Sequence, residues 1–496
     1  MASFSKNLFY NYIGTLSVSV AGFLTTPFLI RFLGINLYGS WALLSSLLVF
    51  STLFDFGIGL AGMKLVAEYS LESERKQINE LFSNVVAAYC VLSLVFLLIG
   101  LCFAPFLRDI FKLPHSYEHQ FVIGYIVFLI AAAISFSGSS FSGMLQGLHD
   151  FKAYNQAFII QSLGGVVVVL ILGYLTHNLV CLSLGMAGVN IVVWLLKGAL
   201  LYRKGLRLTV TELKKSVIKR ILKFSSSVFV INVAGRIIFD MDTIVIGIFS
   251  GTASVASYQV ALNPNTALRK IGDQLNSVTL TSSSRLHARG LQKELRELFL
   301  NATKYSLIIM LPFLICAIFL AKSFLRTWVG IRFESSYTVV IALAFGITIV
   351  NLQATATQII LSMQKHRTLA WVLSIEALCN IGLSIYLLRR FGIIGVALGT
   401  TIPTAFTAFF YTLPKAAKHL ELSYIAVFKA LWKPLAAAIG AIPVILIIKS
   451  LLILTHLVDV MAVGVLYVIV YAVLLILLDK TVKQFMSKMI NGIRPT

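Results

Sequence analysis

The chain has 496 residues, 58% of them hydrophobic and 12% charged, with a mean hydropathy of +0.90, which excludes a water-soluble globule and indicates a polytopic membrane protein. Its formal net charge of +22 does not indicate a nucleic-acid binder, because Lys and Arg stand in short clusters between apolar runs, with no basic domain and no aromatic-basic interleaving. Membrane topology explains that placement better.

Lys6 precedes an apolar run reaching Ile30, longer than a signal-peptide core and without a small-residue cleavage site, so an uncleaved first span is expected. Apolar segments lie at about 8–30, 40–62, 82–106, 121–142, 155–175, 179–201, 225–249, 255–281, 300–321, 337–361, 370–388, 391–413, 434–454 and 458–478, about fourteen in all. Asn263, Pro264, Asn265, Arg269, Lys270 and Asp273 interrupt the eighth. Keeping it as a span puts most basic residues on the inner side, with both termini cytoplasmic. Those inner loops include eight basic residues between Arg203 and Lys223 and four between Arg285 and Arg296. Cys90, Cys102, Cys181, Cys316 and Cys379 lie in apolar segments without paired or metal-like spacing and read as small core residues.

The chain repeats itself. An offset of 220 residues lays the first segment on the seventh and Tyr38 on Tyr258. An offset of 218 pairs Phe106-Leu107-Arg108 with Phe324-Leu325-Arg326 and Gln146 with Gln364. Six spans is an even number, so both halves share one orientation, a parallel repeat about an axis normal to the membrane. The expected lobes are 1–213 and 214–430, and 431–496 adds a transmembrane helix pair and a cytoplasmic tail.

The seventh segment carries the chemistry that lipid would reject. Each central charge costs about 2.5–3.5 kcal/mol on insertion scales, yet Arg236, Asp240 and Asp242 lie mid-span. Helical spacing puts Asn232, Arg236, Asp240 and Thr243 on one stripe, while Asp242 points toward a neighbouring helix on the side of Gly235. Arg236 can grip a diphosphate bidentately or neutralise Asp240 one turn away, and the sequence leaves both open. In the eighth segment Pro264 removes a backbone hydrogen bond. Arg269 and Lys270 there either extend the cationic track or snorkel to the cytoplasmic end beside an Arg269–Asp273 pair, the reading their position favours. Asp55, among Gly57, Gly59 and Gly62, has no opposite charge within one turn, and Glu376 is similarly isolated. With Asp240, Asp242 and Asp273 these are the acids placed for coupling to protons or sodium, or for gating. Lys197 and Lys304 read as snorkelling anchors.

The runs TPFLIRFLGINLYGSWALL, DFGIGLAGMKLVAEYS, GMLQGLHDFKAYNQ, RIIFDMDTIVIG and FGIIGVALGTTIP resemble the polysaccharide-exporter branch of the multidrug/oligosaccharidyl-lipid/polysaccharide (MOP) superfamily, the Wzx-type flippases, nearly end to end. The resemblance implies an all-α, MATE-like bundle of about 14 transmembrane helices, two pseudo-symmetric six-helix lobes and a C-terminal helix pair, around a cavity that alternates between membrane faces. It also implies the cargo, an undecaprenyl-diphosphate-linked oligosaccharide (an O-antigen or capsule repeat unit) moved across the bacterial cytoplasmic membrane, with proton or sodium as coupling ion.

The residues support that role on their own terms. A diphosphate and many hydroxyls cannot cross hydrocarbon while a polyprenyl tail is content there, so the carrier needs a wet, partly cationic passage. Substrate contacts are expected from Arg236, Asn232, Arg269 and Lys270. Coupling or gating is expected from Asp240, Asp242, Asp55, Asp273 and Glu376. Membrane lipids and the pathway's polymerase and chain-length regulator are expected partners. No P-loop, catalytic constellation or metal-ligand cluster is legible, so the expectation is a transporter without cofactors rather than an enzyme. A glycan polymerase would carry a large outer loop. A lipid II flippase and a multidrug antiporter of the same superfamily are the nearer alternatives.

Overall fold

The structure is a computed structural model. It describes residues 2–484 apart from 57, 60, 61, 64, 67–74, 114, 149, 208–214 and 364–365, and for 2–21, 75, 151, 215–232 and 366–367 it describes the backbone alone. Among the described residues the regular elements are all helical, as hydrocarbon demands of a chain that must satisfy every backbone group internally. The first part holds α1 (Ala2–Val49), α2 (Arg75–Phe103), α3 (Leu107–Phe111), α4 (Glu118–Ser137), α5 (Ser139–Gly147), α6 (Phe151–Thr176) and α7 (Leu179–Arg203). The long α8 (Lys215–Ala288) leads into α9 (Gln292–Trp328), α10 (Tyr337–Ser362), α11 (His366–Phe391), α12 (Ile393–Thr407), α13 (Leu413–His419), α14 (Tyr424–Leu451) and α15 (Leu457–Leu478). Two compact units result, Met1–Gln259 and Val260–Thr496.

Eleven helical stretches among the described residues are long and apolar enough to cross a bilayer. The 74 residues of α8 would make a rod of roughly 110 Å, against a hydrocarbon core of about 30 Å. The chain solves this with glycine. At Gly34 (φ 74, ψ 172) and Gly251 (φ 76, ψ 177) it leaves helical geometry, at angles an L side chain rarely adopts. Dividing α1 and α8 at these glycines supplies the further crossings that a fourteen-span topology needs, and we retain that topology as a proposal.

The repeat is visible in the backbone. Residues of positive φ occur at 34, 112, 177 and 205 in the first part of the chain and at 251, 330, 392 and 421 in the second, pairwise offsets of 215 to 218 residues, while Phe56 and Gly290 also have positive φ and do not pair at that offset. Tyr38 follows its glycine by four positions and Tyr258 by seven, so the tyrosine match stands almost one turn out of register with the breaks. Gln364 lies outside the described residues.

Within the first unit, helices approach through residues lacking side chains. A Cβ on Gly39 would lie 1.8 Å from the backbone oxygen of Thr252. Gly143 and Gly147, one turn apart on α5, press on the backbones of Gly59 and Met63, the small-residue packing that lets membrane helices touch. Around them Ile58, Val85, Tyr89, Met144 and Leu145 form a buried cluster.

In the second unit, α11 shows how composition selects its faces. Trp371, Ile375, Leu378 and Tyr386 are exposed, whereas Glu376, Asn380, Ser384 and Leu388 are buried, so the apolar stripe is the lipid side and the polar stripe the protein side. This inverts the pattern of a soluble helix. The chain turns from α11 into α12 at Gly392, and Gly399 seats against the backbone of Ser384. The C-terminal pair α14–α15 joins α9 through Leu311, Ala437, Ala441, Val463 and Tyr467.

Candidate substrate and coupling sites

On the first half of α8, Arg236 Nη1 donates to Asp240 Oδ2 at 2.8 Å. The i, i+4 geometry anticipated from spacing is therefore realised. The Arg236 side chain is 41% exposed and Asp240 25%. A guanidinium has five N–H donors, and Asp240 engages one nitrogen, so the remainder can meet an anion. Thr243 is buried farther along the helix. The Asn232 side chain lies outside the described residues.

Asp242 points elsewhere, away from the Arg236–Asp240 pair. It is buried and accepts a 2.6 Å hydrogen bond from the Tyr258 hydroxyl. Tyr258 reaches it because the chain leaves helical geometry and turns back at Gly251. Asp55 has a similar arrangement. It ends a short 3-10 stretch, Phe50–Asp55, followed by left-handed Phe56, and its Oδ1 accepts from the Tyr89 hydroxyl on α2 and from Gly59 N at 3.4 Å. The acid that lacks a neighbour in sequence thus finds its partner on another helix. Gly57 and Lys64 lie outside the described residues.

On the second half of α8 the helix runs through Pro264 without a break, and Asn265 Nδ2 donates back to Ala261 O at 2.9 Å. The departure from helical geometry comes at Gly251 instead, because glycine tolerates a left-handed backbone. Arg269 and Lys270 are half-buried and Asp273 is exposed. Between them Gly272 packs on the buried Asn351 of α10, whose Nδ2 donates to Ile347 O.

Glu376 is the most enclosed acid of the expected set, 3% exposed. Its Oε1 accepts from Thr404 at 2.7 Å, and its Oε2 accepts from Thr407 at 2.5 Å and from Gln353 Nε2 at 3.3 Å. One turn on, Asn380 Nδ2 donates to Thr400 at 3.0 Å. Immediately after α12 the helix widens into a π-turn, Ala408–Thr412, whose Thr412 hydroxyl donates to Thr407 O. Such turns recur at functional sites. Sequence reasoning found Glu376 and missed its cage. The Thr400, Thr404 and Thr407 spacing on one helical face was the available signal.

Two expectations are corrected. Lys304 does not snorkel: its side chain is 8% exposed and its ammonium meets Asp479 at 3.1 Å and the Thr481 hydroxyl. Asp479 stands directly after the last apolar run, so a fixed acceptor waits beside α9. Cys90, Cys102 and Cys379 are exposed rather than core residues, since a thiol is apolar enough for the lipid face. Lys197 is half-buried.

A cavity of about 460 Å³ in the second unit is lined by Pro264, Leu268, Pro312, Cys316, Val340 and Gly464 among others, with Asn265 its one amide. Four helices build it, and its walls offer dispersion contacts but almost no hydrogen bonds. An alkyl or prenyl chain suits such a space.

Long apolar helices, glycine breaks at Gly34 and Gly251 and polar side chains such as Glu376 and Asn380 turned inward define a multi-pass membrane protein. The family model described as polysaccharide biosynthesis protein matches residues 4–273, and the chain belongs to that family. It is 23% identical over 359 residues to an uncharacterized membrane protein of Methanocaldococcus jannaschii, covering 70% of each chain. Among solved structures it is similar to the lipid II flippase MurJ in an inward closed conformation, with TM-score 0.74 and 15% identity over 94% of this chain and 98% of that one. An inward-facing MATE multidrug resistance transporter of the MOP superfamily gives TM-score 0.63 and 15% identity over 85% and 96%. A MOP superfamily transporter from Pyrococcus furiosus gives 0.59 and 15% over 84% and 96%. The family match bears out the polysaccharide-exporter resemblance read from the sequence, and the likeness to these structures bears out its all-α, MATE-like fold.

Proposed function

We propose that the chain carries undecaprenyl-diphosphate-linked oligosaccharide, the repeat unit of an O-antigen, capsule or exopolysaccharide, from the inner to the outer leaflet of a bacterial cytoplasmic membrane by alternating access. The observation that carries this reading is the Arg236–Asp240 pair, an ionic group at mid-span whose guanidinium stays two-fifths exposed. A charge kept only for packing would be buried and fully paired. In this reading Arg236 holds diphosphate oxygens, Asn232, Arg269 and Lys270 continue the polar path, and the apolar cavity of the second unit accepts part of the prenyl chain. Both termini lie in the cytoplasm, and the two six-helix lobes span 1–213 and 214–430.

Transport against a glycan gradient needs an energy source, supplied here by protons or sodium at acids among Asp55, Asp240, Asp242, Asp273 and Glu376. The polymerase and chain-length regulator of the same pathway act on the exported unit. Lipid II, which shares the undecaprenyl diphosphate, is the second reading, favoured by the likeness to MurJ over 94% of this chain.

Deletion followed by lipid analysis tests the proposal. Undecaprenyl-linked repeat unit should accumulate on the cytoplasmic face, and a plasmid copy should clear it. Accumulation of lipid II instead selects the second reading, and unchanged lipid pools reject both.

A further inference from the structure

We propose that Glu376 is a proton-carrying site of this transporter, loaded when its carboxyl is neutral and empty when it is ionised, with Thr407 as the hydroxyl that turns to serve both states. The inference deepens the transport reading by assigning one coupling ion to one residue. Glu376 is 3% exposed on α11, against α10, α12 and the π-turn. Neither α10 nor α12 contains an Asp, Glu, Lys, Arg or His, and Tyr411 is the one titratable group of the π-turn. Its donors, Thr404, Thr407 and Gln353, are all neutral.

Counting hydrogens shows why two protonation states fit. Thr407 has a single hydroxyl hydrogen but faces three acceptors, Glu376 Oε2 at 2.5 Å and the backbone oxygens of Pro403 and Thr404, each at 3.1 Å. With Glu376 ionised, that hydrogen goes to the carboxylate. With Glu376 neutral, the carboxyl O–H donates to Thr407 Oγ1, and Thr407 turns its hydrogen to the Pro403 or Thr404 carbonyl. Gln353 Nε2, 3.3 Å from both Glu376 Oε2 and Thr407 Oγ1, bridges them in either state. One hydroxyl rotation therefore exchanges the two forms without moving a helix, and no polar group is stranded in either.

The same geometry disfavours a metal ion. Hard cations gather six or more oxygens at roughly 2.3–2.6 Å when they are the size of calcium. Among the described residues the groups bonded to the carboxyl are two hydroxyls and the Gln353 amide nitrogen, fewer oxygen ligands than such a cation gathers.

The test uses the full chain reconstituted in liposomes without any glycolipid, so it stands apart from the flippase assay. Dicyclohexylcarbodiimide attacks protonated carboxyls in apolar surroundings, and mass spectrometry reads its adduct at Glu376. Labelling should fall roughly tenfold per pH unit above its midpoint and should not respond to sodium at constant pH. Thr407→Val removes both the donor of the ionised state and the acceptor of the neutral one, so its labelling profile should differ from the parent's, while Thr407→Ser keeps the parent profile; an unchanged Thr407→Val profile overturns the role of the hydroxyl. Protection by sodium at constant pH, a flat pH profile, or no adduct at acidic pH overturns the proposal. A positive labelling result with no glycolipid export in cells would keep the proton site and reject the cargo.

Discussion

Lys304 and Asp479, 175 positions apart, meet at 3.1 Å in a pocket that leaves their side chains 8% and 3% exposed. The pair ties the end of α15 to α9. Asp479 Oδ1 also accepts from the backbone N–H of Thr481 at 2.9 Å and from its hydroxyl at 2.6 Å, so one carboxylate fixes both the last span and the direction in which the chain leaves it. Removing one partner leaves a buried uncompensated charge, at a cost of about 3–5 kcal/mol. Lys304→Met should therefore lower the melting temperature of purified protein sharply. The double variant Lys304→Met/Asp479→Leu should recover much of the loss, since well-packed apolar residues often replace a buried pair without penalty.

The same pair makes stability depend on pH. Burial would raise the Asp479 carboxyl, but hydrogen bonds from Thr481 and Lys304 outweigh it and hold the group down at about 2. A carboxyl held below its unfolded value of about 3.9 stabilises the fold fully above that value and ceases to do so as pH falls through 2. The expected acid loss of stability lies between those two values and should shrink in Asp479→Asn, measured by thermal unfolding across that range.

Arg236 separates ion pairing from substrate holding. Arg236→Ala should insert and fold yet export at least about tenfold less, the scale of a lost charge-assisted hydrogen bond. Arg236→Lys should export between the two, because an ammonium supplies charge without the planar fork. Restoration of export in Arg236→Ala/Asp240→Ala would show that the arginine serves only to neutralise its neighbour.

Gly39 tests the close approach in the first unit. A methyl group on this residue would stand 1.8 Å from the Thr252 oxygen, so Gly39→Val cannot be absorbed by a side-chain rotation and should cost about 1–3 kcal/mol as overpacking. Gly188, which has open space around it, should accept Ala with no change in melting temperature.

Filling the apolar cavity should uncouple stability from transport. Gly464→Phe places a ring in the space beside Cys316 and Leu320. Melting temperature should hold or rise, because added buried area stabilises, while export falls. Normal export in that variant would remove the cavity from the path of the prenyl chain.

Much of the site was legible in the sequence because lipid makes charge conspicuous. Arg236 with Asp240 follows from i, i+4 spacing alone, and Asp242 is set apart from that pair by its angle around the helix. The cage of Glu376 was not legible. Gln353 and Thr404 lie 23 and 28 positions away, on helices whose rotation about their own axes no local pattern fixes. Lys304 was misread for a related reason: near a membrane boundary, snorkelling and ion pairing look alike until the opposite helix is placed.

By itself the sequence determined the all-α membrane class, the family, and which acids and which arginine fall within apolar segments. These follow from solvation, which is a property of each residue and its near neighbours. Only the tertiary structure decided which neutral groups face Glu376, that Lys304 is locked to Asp479, and that Gly34 and Gly251 rather than Pro264 break the long helices. Those facts depend on packing between segments far apart in the chain, where small residues set how closely backbones approach and so which side chains meet.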